Sequence, residues 1–317
     1  MIETFEFVSP KHPDKQCDII ADTILDAYLA QDPDSRVAVE VMGGHGKLVV
    51  MGEITSKGKV NIKELVQPLV PELKIETNIV KQSPEIKRGV DNGGAGDQGI
   101  MIGYACNETP NFMPYGYEKA RMLCRYLYDR FKSDGKVQIT LEDKHIISVV
   151  ASFCGAKTNT LEKLTRKCIT ADEYFINPAG EWNIGGFDSD TGLSGRKIAV
   201  DNYGSRVAVG GGSFSGKDPT KVDRSGAYIV RKIAVDKLRE LGAKEVIVRL
   251  AYVIGVAEPV MAVATIDGHE FSASDLRDLT PKEIIGRLDL RRPIYAKTAM
   301  WGHFGRRFEW DNLRYES

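Results

Sequence analysis

The stretch GGGSFSGKDPTKVDRSGAY, residues 210–228, joins a glycine-rich loop to the start of an amphipathic helix. Glycines allow a backbone to turn its N–H groups toward an anion, and Lys217 and Lys221 add positive charge. The first part of the P-loop pattern, G-x-x-x-x-G-K, is satisfied, but Asp218 stands where that pattern needs a Ser or Thr hydroxyl for Mg²⁺. The stretch therefore predicts a phosphate-binding loop that is not a P-loop; the alternative is a glycine-rich surface loop.

The helix that follows this loop is the third of three similar helices, which begin near residues 14, 117 and 223. Around each, the hydrophobic pattern indicates the order strand, helix, hairpin, helix, strand, and the third repeat opens with predicted strands at 198–200 and 207–209. This repeat predicts an α+β protein of three pseudo-symmetric subdomains, each a mixed sheet with helices on one face. We expect the subdomains to cover residues 1–88, 93–182 and 183–317. A doubly wound parallel sheet fits less well, because tight hairpins imply antiparallel pairs.

The composition excludes several classes of function. The 43 Lys and Arg residues nearly balance the 44 Asp and Glu residues, so bulk charge predicts neither a nucleic-acid nor a membrane partner. No apolar run approaches the ~20 residues of a membrane span, and the N-terminus lacks the apolar core of a signal peptide. The five cysteines form no C-x-x-C pair, which favours a reduced, cytoplasmic protein without disulfides or structural zinc.

Unusual motifs occur at comparable places in the three repeats, at helix starts and in glycine loops. A polyphosphate held between them would meet His12, Lys15, Arg196, Lys197, Lys217 and Lys221. Asp14 and Asp223 open two of the helices, and their hard oxygen atoms suit Mg²⁺ that bridges phosphates. The sequence therefore predicts a site for a metal-bound polyphosphate.

A structural interpretation competes with this one. Asp14, Asp18, Asp22 and Asp26 follow one another at four-residue spacing, a pattern typical of a solvated helix face, and Asp18, Asp22 and Asp26 are expected at the surface. A histidine before a proline, such as His12, is typical of a helix cap or turn, and a single lysine such as Lys15 is usually solvated.

Seven motifs resemble the S-adenosylmethionine synthetases, also called methionine adenosyltransferases. They are HPDK (12–15), GAGDQGIMIGYACNET (94–109), INPAGEWNIGG (176–186), TGLSGRKIAVDNYG (191–204), GGGSFSGKDPTKVDRS (210–225), YVIGVAEP (252–259) and WGHFGR (301–306). The resemblance implies three pseudo-symmetric subdomains and a homodimer with active sites at its interface, and leaves a dimer of dimers open. It also implies that methionine sulfur attacks C5′ of ATP and displaces triphosphate, which is then hydrolysed to pyrophosphate and phosphate.

The resemblance further implies roles for individual positions of this chain. Catalytic roles fall to His12, Lys136, Arg196, Lys217 and Lys221. ATP binding is implied for His12, Asp134, Lys136, Glu181, Trp182, Asp190, Arg196, Lys197, Ser213 and Lys217. Methionine binding is implied for Glu53, Gln82, Asp97, Asp190 and Lys221. Two Mg²⁺ ions per site are implied, with Asp14 and Asp223 as ligands, and K⁺ with Glu40.

The chain departs from the family pattern at several points. Lys11 replaces the glycine before HPDK, Glu181 an arginine and Ser213 an alanine. Only Asn92 and Gly93 separate Val90-Asp91 from the GAGDQG motif. The active-site loop of this chain is therefore shorter than that of bacterial relatives, and we expect the gating of substrate to change. Two alternatives remain: an ATP-dependent phosphotransferase or ATPase, and an inactive regulatory homologue.

Overall fold

Strands and helices follow one another along the chain nearly as the repeat predicts. A computed structural model describes residues 1–82, 93–272 and 278–311. The strands are β1 Ile2–Val8, β2 Arg36–Gly44, β3 Lys47–Thr55, β4 Lys74–Val80, β5 Gly99–Cys106, β6 Gly135–Glu142, β7 His145–Phe153, β8 Glu173–Ile176, β9 Gly192–Leu193, β10 Glu245–Tyr252, β11 Met261–Ile266 and β12 His269–Ser272. The helices are α1 Pro13–Leu29, α2 Ile62–Val66, α3 Tyr115–Phe131, α4 Thr158–Cys168, α5 Ile198–Asp201, α6 Val222–Leu241 and α7 Pro281–Arg287.

The strands form three four-stranded sheets, with the orders β4-β3-β2-β9, β1-β6-β7-β8 and β12-β11-β10-β5. The first strand of each repeat pairs with the sheet of another repeat: β1 with β6, β5 with β10 and β9 with β2. No sheet is therefore built from one continuous stretch of the described chain. The subdomain boundaries at residues 88, 93 and 183 stay a prediction, because the sheets cross them.

The predicted hairpins are antiparallel: β2 pairs with β3, β6 with β7 and β10 with β11. In two sheets the outer strand runs parallel to its neighbour, β4 beside β3 and β8 beside β7, whereas every named strand pair of the third sheet is antiparallel. The α+β class with three similar sheets is confirmed.

The three long helices each cover one sheet: α1 packs on β2, α3 on β1 and β6, and α6 on β5 and β10. The shorter helices α2, α4 and α7 lie beside α1, α3 and α6 respectively. Helix α1 begins with Pro13, whose fixed φ suits a first turn, and α6 ends at Gly242, which adopts φ +60°. None of the described helices is long and apolar enough to cross a membrane.

The start of the third repeat differs from the prediction. Residues 198–200 belong to helix α5, and 207–209 form no strand. A short apolar run fits a strand or a buried helical turn equally well by periodicity, and tertiary contacts decide between them. Here the Val200 carbonyl accepts a hydrogen bond from the Tyr117 hydroxyl at 2.6 Å, which holds α5 against α3.

The aspartates of α1 are also placed differently, and the predicted surface location of Asp18, Asp22 and Asp26 is wrong. Asp18 and Asp22 are fully buried and Asp26 half-buried. All three accept backbone N–H groups of the C-terminal part of the chain. These bonds run from Gly195 to Asp18 (2.8 Å), from Gly216 to Asp22 (2.8 Å), and from Tyr295 and Ala296 to Asp26 (2.9 Å each). The row of carboxylates therefore fixes two loops, 192–197 and 210–221, against α1.

Candidate active site

The first part of the candidate site lies where α1 begins. His12 is the N-cap residue, and its Nδ1 accepts the Asp14 backbone N–H at 3.2 Å. Burial, together with the charge of Lys197, lowers the pKa of His12 to about 4. The imidazole is therefore neutral at pH 7, and because Nδ1 is an acceptor, its proton lies on Nε2. His12 can act as a hydrogen-bond donor but carries no charge.

Asp14 is fully buried beside His12, and its carboxylate contacts one backbone N–H and two cationic side chains. Its Oδ1 accepts the Leu193 N–H at 2.9 Å and lies 3.4 Å from Arg196 Nε. Its Oδ2 lies 2.5 Å from Lys197 Nζ. Burial opposes ionisation, but the hydrogen bonds from Lys197 and Leu193 outweigh it and lower the pKa of Asp14. The aspartate therefore stays ionised and gathers two cations at the helix start.

Further predicted residues surround His12. Asp190 and Lys136 lie close enough for their charges to act on its pKa. Asp134 accepts the Gly186 N–H at 2.9 Å, and burial raises the pKa of Asp134. Trp182 donates its indole N–H to Ser152 at 3.0 Å, on β7. We call the predicted residues at this helix start the His12 group; its members are His12, Asp14, Asp134, Lys136, Asp190, Arg196 and Lys197.

The glycine-rich loop forms the second part. Lys217 Nζ lies 2.7 Å from Asp223 Oδ2, and the Gly212 N–H donates to Asp223 Oδ1 at 3.2 Å. Asp218, which excludes a P-loop, is buried and accepts the Val37 N–H of β2 at 2.7 Å, while also pairing with Lys221. Asp218 thus ties the loop to a strand instead of holding a metal ion.

A pocket of about 380 Å³ opens between this loop, β2 and β3. It brings together six of the predicted residues, which come from four separate parts of the sequence. We call it the Lys217 pocket; these residues are Glu53, Gln82, Asp97, Lys217, Lys221 and Asp223. Its walls present both charges, which suits a zwitterionic ligand beside an anionic one.

The two parts meet where the loops 192–197 and 210–221 touch. Gly195 adopts φ +77°, and a Cβ added there would lie 2.5 Å from the Cβ of Ser213. Next to it, the Ser194 hydroxyl donates to the Glu40 carboxylate of β2 and accepts the Val41 N–H at 3.0 Å. Ser213 and Glu40 therefore both lie at this contact.

Glu181 is not brought to either part of the site. Its Oε2 lies 2.8 Å from Lys157 Nζ, and its Oε1 accepts the Thr158 N–H at 2.9 Å. Both partners lie at the N-terminus of α4, where an acidic side chain is favoured by the helix dipole. In the described structure Glu181 therefore caps a helix.

Lys15 contradicts the expectation that it is solvated. It is fully buried, with its Nζ 2.5 Å from Asp201 and 2.9 Å from Asp18. Burial would lower the pKa of Lys15, but the two carboxylates raise it above its usual value. Its ammonium group joins α1 to α5 through these two ion pairs, so a phosphate would have to displace a buried carboxylate to reach it.

One pair that organises the site escaped the sequence analysis. Arg224 and Asp22 are both fully buried, and the guanidinium reaches the two carboxylate oxygens at 2.7 Å each. The same guanidinium donates to the carbonyls of Phe214 and Lys217 at 3.0 Å each. The available signal was the DRS segment after the lysines together with the aspartate spacing of α1. Neither indicates that the two face each other.

The donor set fits magnesium ions that also bind phosphate. Among the described residues, no group of three or more His, Cys, Asp and Glu side chains is placed to hold a metal ion alone. Asp14 and Asp223 each offer one carboxylate, already satisfied by a lysine and a backbone N–H. Mg²⁺ is commonly held by one or two carboxylates, with substrate phosphates and water completing its shell.

Comparison with known proteins identifies the family. Three family models cover nearly the whole chain: S-adenosylmethionine synthetase N-terminal domain at residues 1–87, central domain at 92–182 and C-terminal domain at 184–312. The chain belongs to the S-adenosylmethionine synthetase family. The resemblance noted in the motifs is thereby confirmed.

Similar members of the S-adenosylmethionine synthetase family occur in several bacteria. The S-adenosylmethionine synthases of Brachyspira hyodysenteriae and a Nitratiruptor species are each 38% identical to the chain. The alignments cover 96% and 97% of the chain and 94% of each relative. A solved structure, described as an unusual S-adenosylmethionine synthetase from Campylobacter jejuni, superposes with a TM-score of 0.88 at 32% identity, covering 98% of this chain and 97% of that one.

The chain is also short for an S-adenosylmethionine synthetase. The Brachyspira alignment extends over 371 positions, whereas the chain has 317 residues, so the relative carries segments that the chain lacks. The predicted shortened loop at 90–92 lies outside the described residues. Lys11, another departure from the family pattern, is exposed and lines a pocket of about 410 Å³ with Asp134 and Gly186.

Proposed function

We propose that the protein synthesises S-adenosylmethionine from ATP and L-methionine. A lone pair of the methionine sulfur forms a bond to C5′ of ATP, the C5′–O bond breaks, and the triphosphate leaves with the bonding electrons. The sulfur becomes a sulfonium and loses no proton, so the reaction needs neither a general base nor an activated nucleophile. The Lys217 pocket carries the proposal, because it joins cations for a polyphosphate to acidic and amide groups for an amino acid.

Negative charge grows on the leaving triphosphate, and the chain supplies fixed positive charge to meet it. We assign this role to Lys136, Arg196, Lys197, Lys217 and Lys221. Lys197 and Lys217 are already held by Asp14 and Asp223 at 2.5 and 2.7 Å, so little reorganisation is needed when phosphate oxygens arrive. The neutral His12 would donate its Nε2 proton in a hydrogen bond to the oxygen that leaves C5′.

The remaining assignments follow the resemblance, and the geometry supports most of them. Asp134, Trp182, Asp190 and Ser213 would bind the nucleotide, and Glu53, Gln82 and Asp97 the methionine, with Asp190 and Lys221 contacting it. For Glu181 an ATP contact requires release from the α4 cap. Asp14 and Asp223 would hold two Mg²⁺ ions, which supply charge neutralisation to the phosphates when bound, and Glu40 with the Ser194 hydroxyl offers oxygen ligands for K⁺.

The same cations hold the triphosphate after it has left carbon. We infer that water then cleaves it to pyrophosphate and phosphate before release. The five cysteines are free thiols, which is typical of the reducing cytoplasm, the location that we propose.

We further propose that the active site is completed by a second copy of the chain. Glu40 and Glu53 lie on the face of their sheet that points away from α1. On that face Glu40 is opposite Met51, and the exposed apolar side chains Met42, Met51 and Val80 accompany them at 51%, 49% and 54% exposure. Ligand-binding residues on an uncovered apolar sheet face favour a homodimer with the site at its interface.

Mixing two inactive variants tests this arrangement. Lys197→Met disables the His12 group and Lys217→Met the Lys217 pocket. If one site takes the His12 group of one chain and the Lys217 pocket of the other, a mixed dimer keeps one intact site. Random mixing should then restore about a quarter of the wild-type activity. The control is Lys157→Met, which changes an exposed lysine outside both parts of the site. A mixture of Lys197→Met and Lys217→Met that is no more active than either variant alone would refute a shared site.

The reaction itself is tested on the Lys217→Ala variant. Loss of one charge aimed at the transition state should lower kcat by about 100-fold or more, because comparable groups contribute a few kcal/mol. The fold should stay intact, which circular dichroism checks. An unchanged kcat would remove Lys217 from its assigned role.

A further inference from the structure

A groove of about 640 Å³ lies between α3 and the segment 301–307, and it shares no residue with the Lys217 pocket. Its lining is rich in arginine. We call it the arginine groove; it is lined by Asn111, Glu118, Arg121, Met122, Arg125, Tyr126, Asp129, Trp301, Gly305, Arg306 and Arg307. None of the site assignments above uses any of these residues.

The acidic side chains of the groove are paired with residues other than Arg125 and Arg306. Four arginines line it against two carboxylates, and both carboxylates already have partners. Glu118 pairs with Arg121, and Asp129 lies 2.9 Å from Lys132 Nζ. Within the described part of the groove, neither carboxylate therefore forms an ion pair with Arg125 or Arg306.

Arg306 is bound by backbone carbonyls. Its Nη1 donates to the carbonyls of Lys297 at 2.8 Å, Gly302 at 3.0 Å and Thr298 at 3.4 Å. Across residues 1–82, 93–272 and 278–311, no carboxylate forms an ion pair with it. Burial, and then the charges of Arg121 and Arg125, lower the pKa of Arg306 to about 10. A largely buried guanidinium beside two like charges is unfavourable unless an anion joins it.

The groove is also held open in advance. Arg121 donates to the carbonyls of Phe304 at 2.7 Å, Gly305 at 3.0 Å and Trp301 at 3.3 Å. These bonds run from α3 on one wall to the segment 301–307 on the other, so both walls keep their spacing without a ligand. A preformed site loses less free energy to ordering when it binds.

We propose that the arginine groove binds a small organic bisphosphate, with the guanidinium groups of Arg125 and Arg306 holding its phosphates. Guanidinium forks match phosphate oxygens in paired hydrogen bonds, and a groove of this size admits a sugar-sized molecule. Arg125 is exposed on α3 at the mouth of the groove, whereas Arg306 lies deeper. This site is separate from the proposed catalytic one and does not depend on it.

The test uses fructose 1,6-bisphosphate as the probe, measured by titration calorimetry on the full-length protein at low salt. Arg125→Ala removes an exposed side chain and should weaken binding by about tenfold or more, the loss expected for charged hydrogen bonds. Arg130→Ala, an exposed arginine of the same helix that does not line the groove, is the matched control and should bind as the wild type does. Arg306→Lys, which keeps the charge but loses the fork, should also weaken binding.

The Lys217→Ala variant shows whether the probe enters the Lys217 pocket. Its affinity for fructose 1,6-bisphosphate should equal that of the wild-type protein. The proposal is overturned if the wild-type protein shows no binding or if Arg125→Ala binds as tightly as Arg130→Ala. It is equally overturned if Lys217→Ala abolishes binding. Because the Arg125 side chain is exposed, we expect its variant to stay folded, which circular dichroism checks.

Discussion

Asp22→Ala should be among the most damaging single substitutions in α1, although Asp22 binds no substrate in our account. The Asp22 side chain is fully buried. It accepts two hydrogen bonds of 2.7 Å from Arg224 and a third from the Gly216 N–H. Its removal leaves a fully buried guanidinium without its counter-charge. Breaking one side of a buried pair costs about 3–5 kcal/mol, and we expect about 4 kcal/mol of the free energy of unfolding to be lost.

Urea unfolding followed by tryptophan fluorescence, at fixed protein concentration, measures this loss. Asp129→Ala removes an exposed aspartate of α3 and should change the free energy of unfolding by less than about 0.5 kcal/mol. The double variant Asp22→Leu with Arg224→Met should lose much less than the sum of the two single changes, because it removes both charges together. A loss below about 1 kcal/mol for Asp22→Ala, or additive effects in the double variant, would show that the buried pair does not stabilise the fold in this way.

Asp22→Ala should also impair catalysis, since Arg224 holds the Phe214 and Lys217 carbonyls. Release of Arg224 would loosen the loop that carries Lys217, so KM for ATP should rise even under conditions where the variant is folded. An unchanged KM would show that the loop is held by its other contacts alone.

Three further outcomes are expected. Gly195→Ala should lower kcat/KM and the melting temperature more than Gly155→Ala does. Both glycines have positive φ (+77° and +71°), but only Gly195 faces a close neighbour, Ser213. Equal effects of the two substitutions would show that backbone strain alone matters. Burial lowers the pKa of His303 well below its ordinary value, so the unfolded chain takes up a proton there that the folded one does not as pH falls below 6.5. Wild-type stability should therefore drop between pH 6.5 and 5.5 by about 1 kcal/mol more than that of His303→Gln, and parallel urea curves would contradict this. Chelation of divalent metal should abolish turnover and leave the melting temperature of the ligand-free protein unchanged; a fall in that temperature would indicate a structural metal ion.

Periodicity predicted the repeated elements because each long helix buries one apolar face against one sheet. Cys17, Ile20 and Ile24 of α1 are all buried as that spacing requires. Periodicity did not predict which strands pair, because β9 reaches β2 across nearly half of the chain and only two of its residues pair. Local pattern contains no information about such long-range partners.

The aspartates of α1 show the same limit at the level of the site. Four-residue spacing describes the face of a helix but not what covers it, and here backbone N–H groups and Arg224 do so. Lys15 is expected in solvent because a single lysine usually is, although it lies buried and pairs with Asp18 and Asp201. The motifs predicted residues that the structure brings together in the His12 group and the Lys217 pocket. They left Glu181 with a role that its position at α4 does not favour.

The most direct test of the central claim is the product of the reaction. The protein is incubated with ATP, L-methionine, Mg²⁺ and K⁺, and the mixture is separated and examined by mass spectrometry. S-adenosylmethionine should form together with pyrophosphate and phosphate, and no ADP. ADP and phosphate without a sulfonium product, from folded and dimeric protein, would contradict this claim.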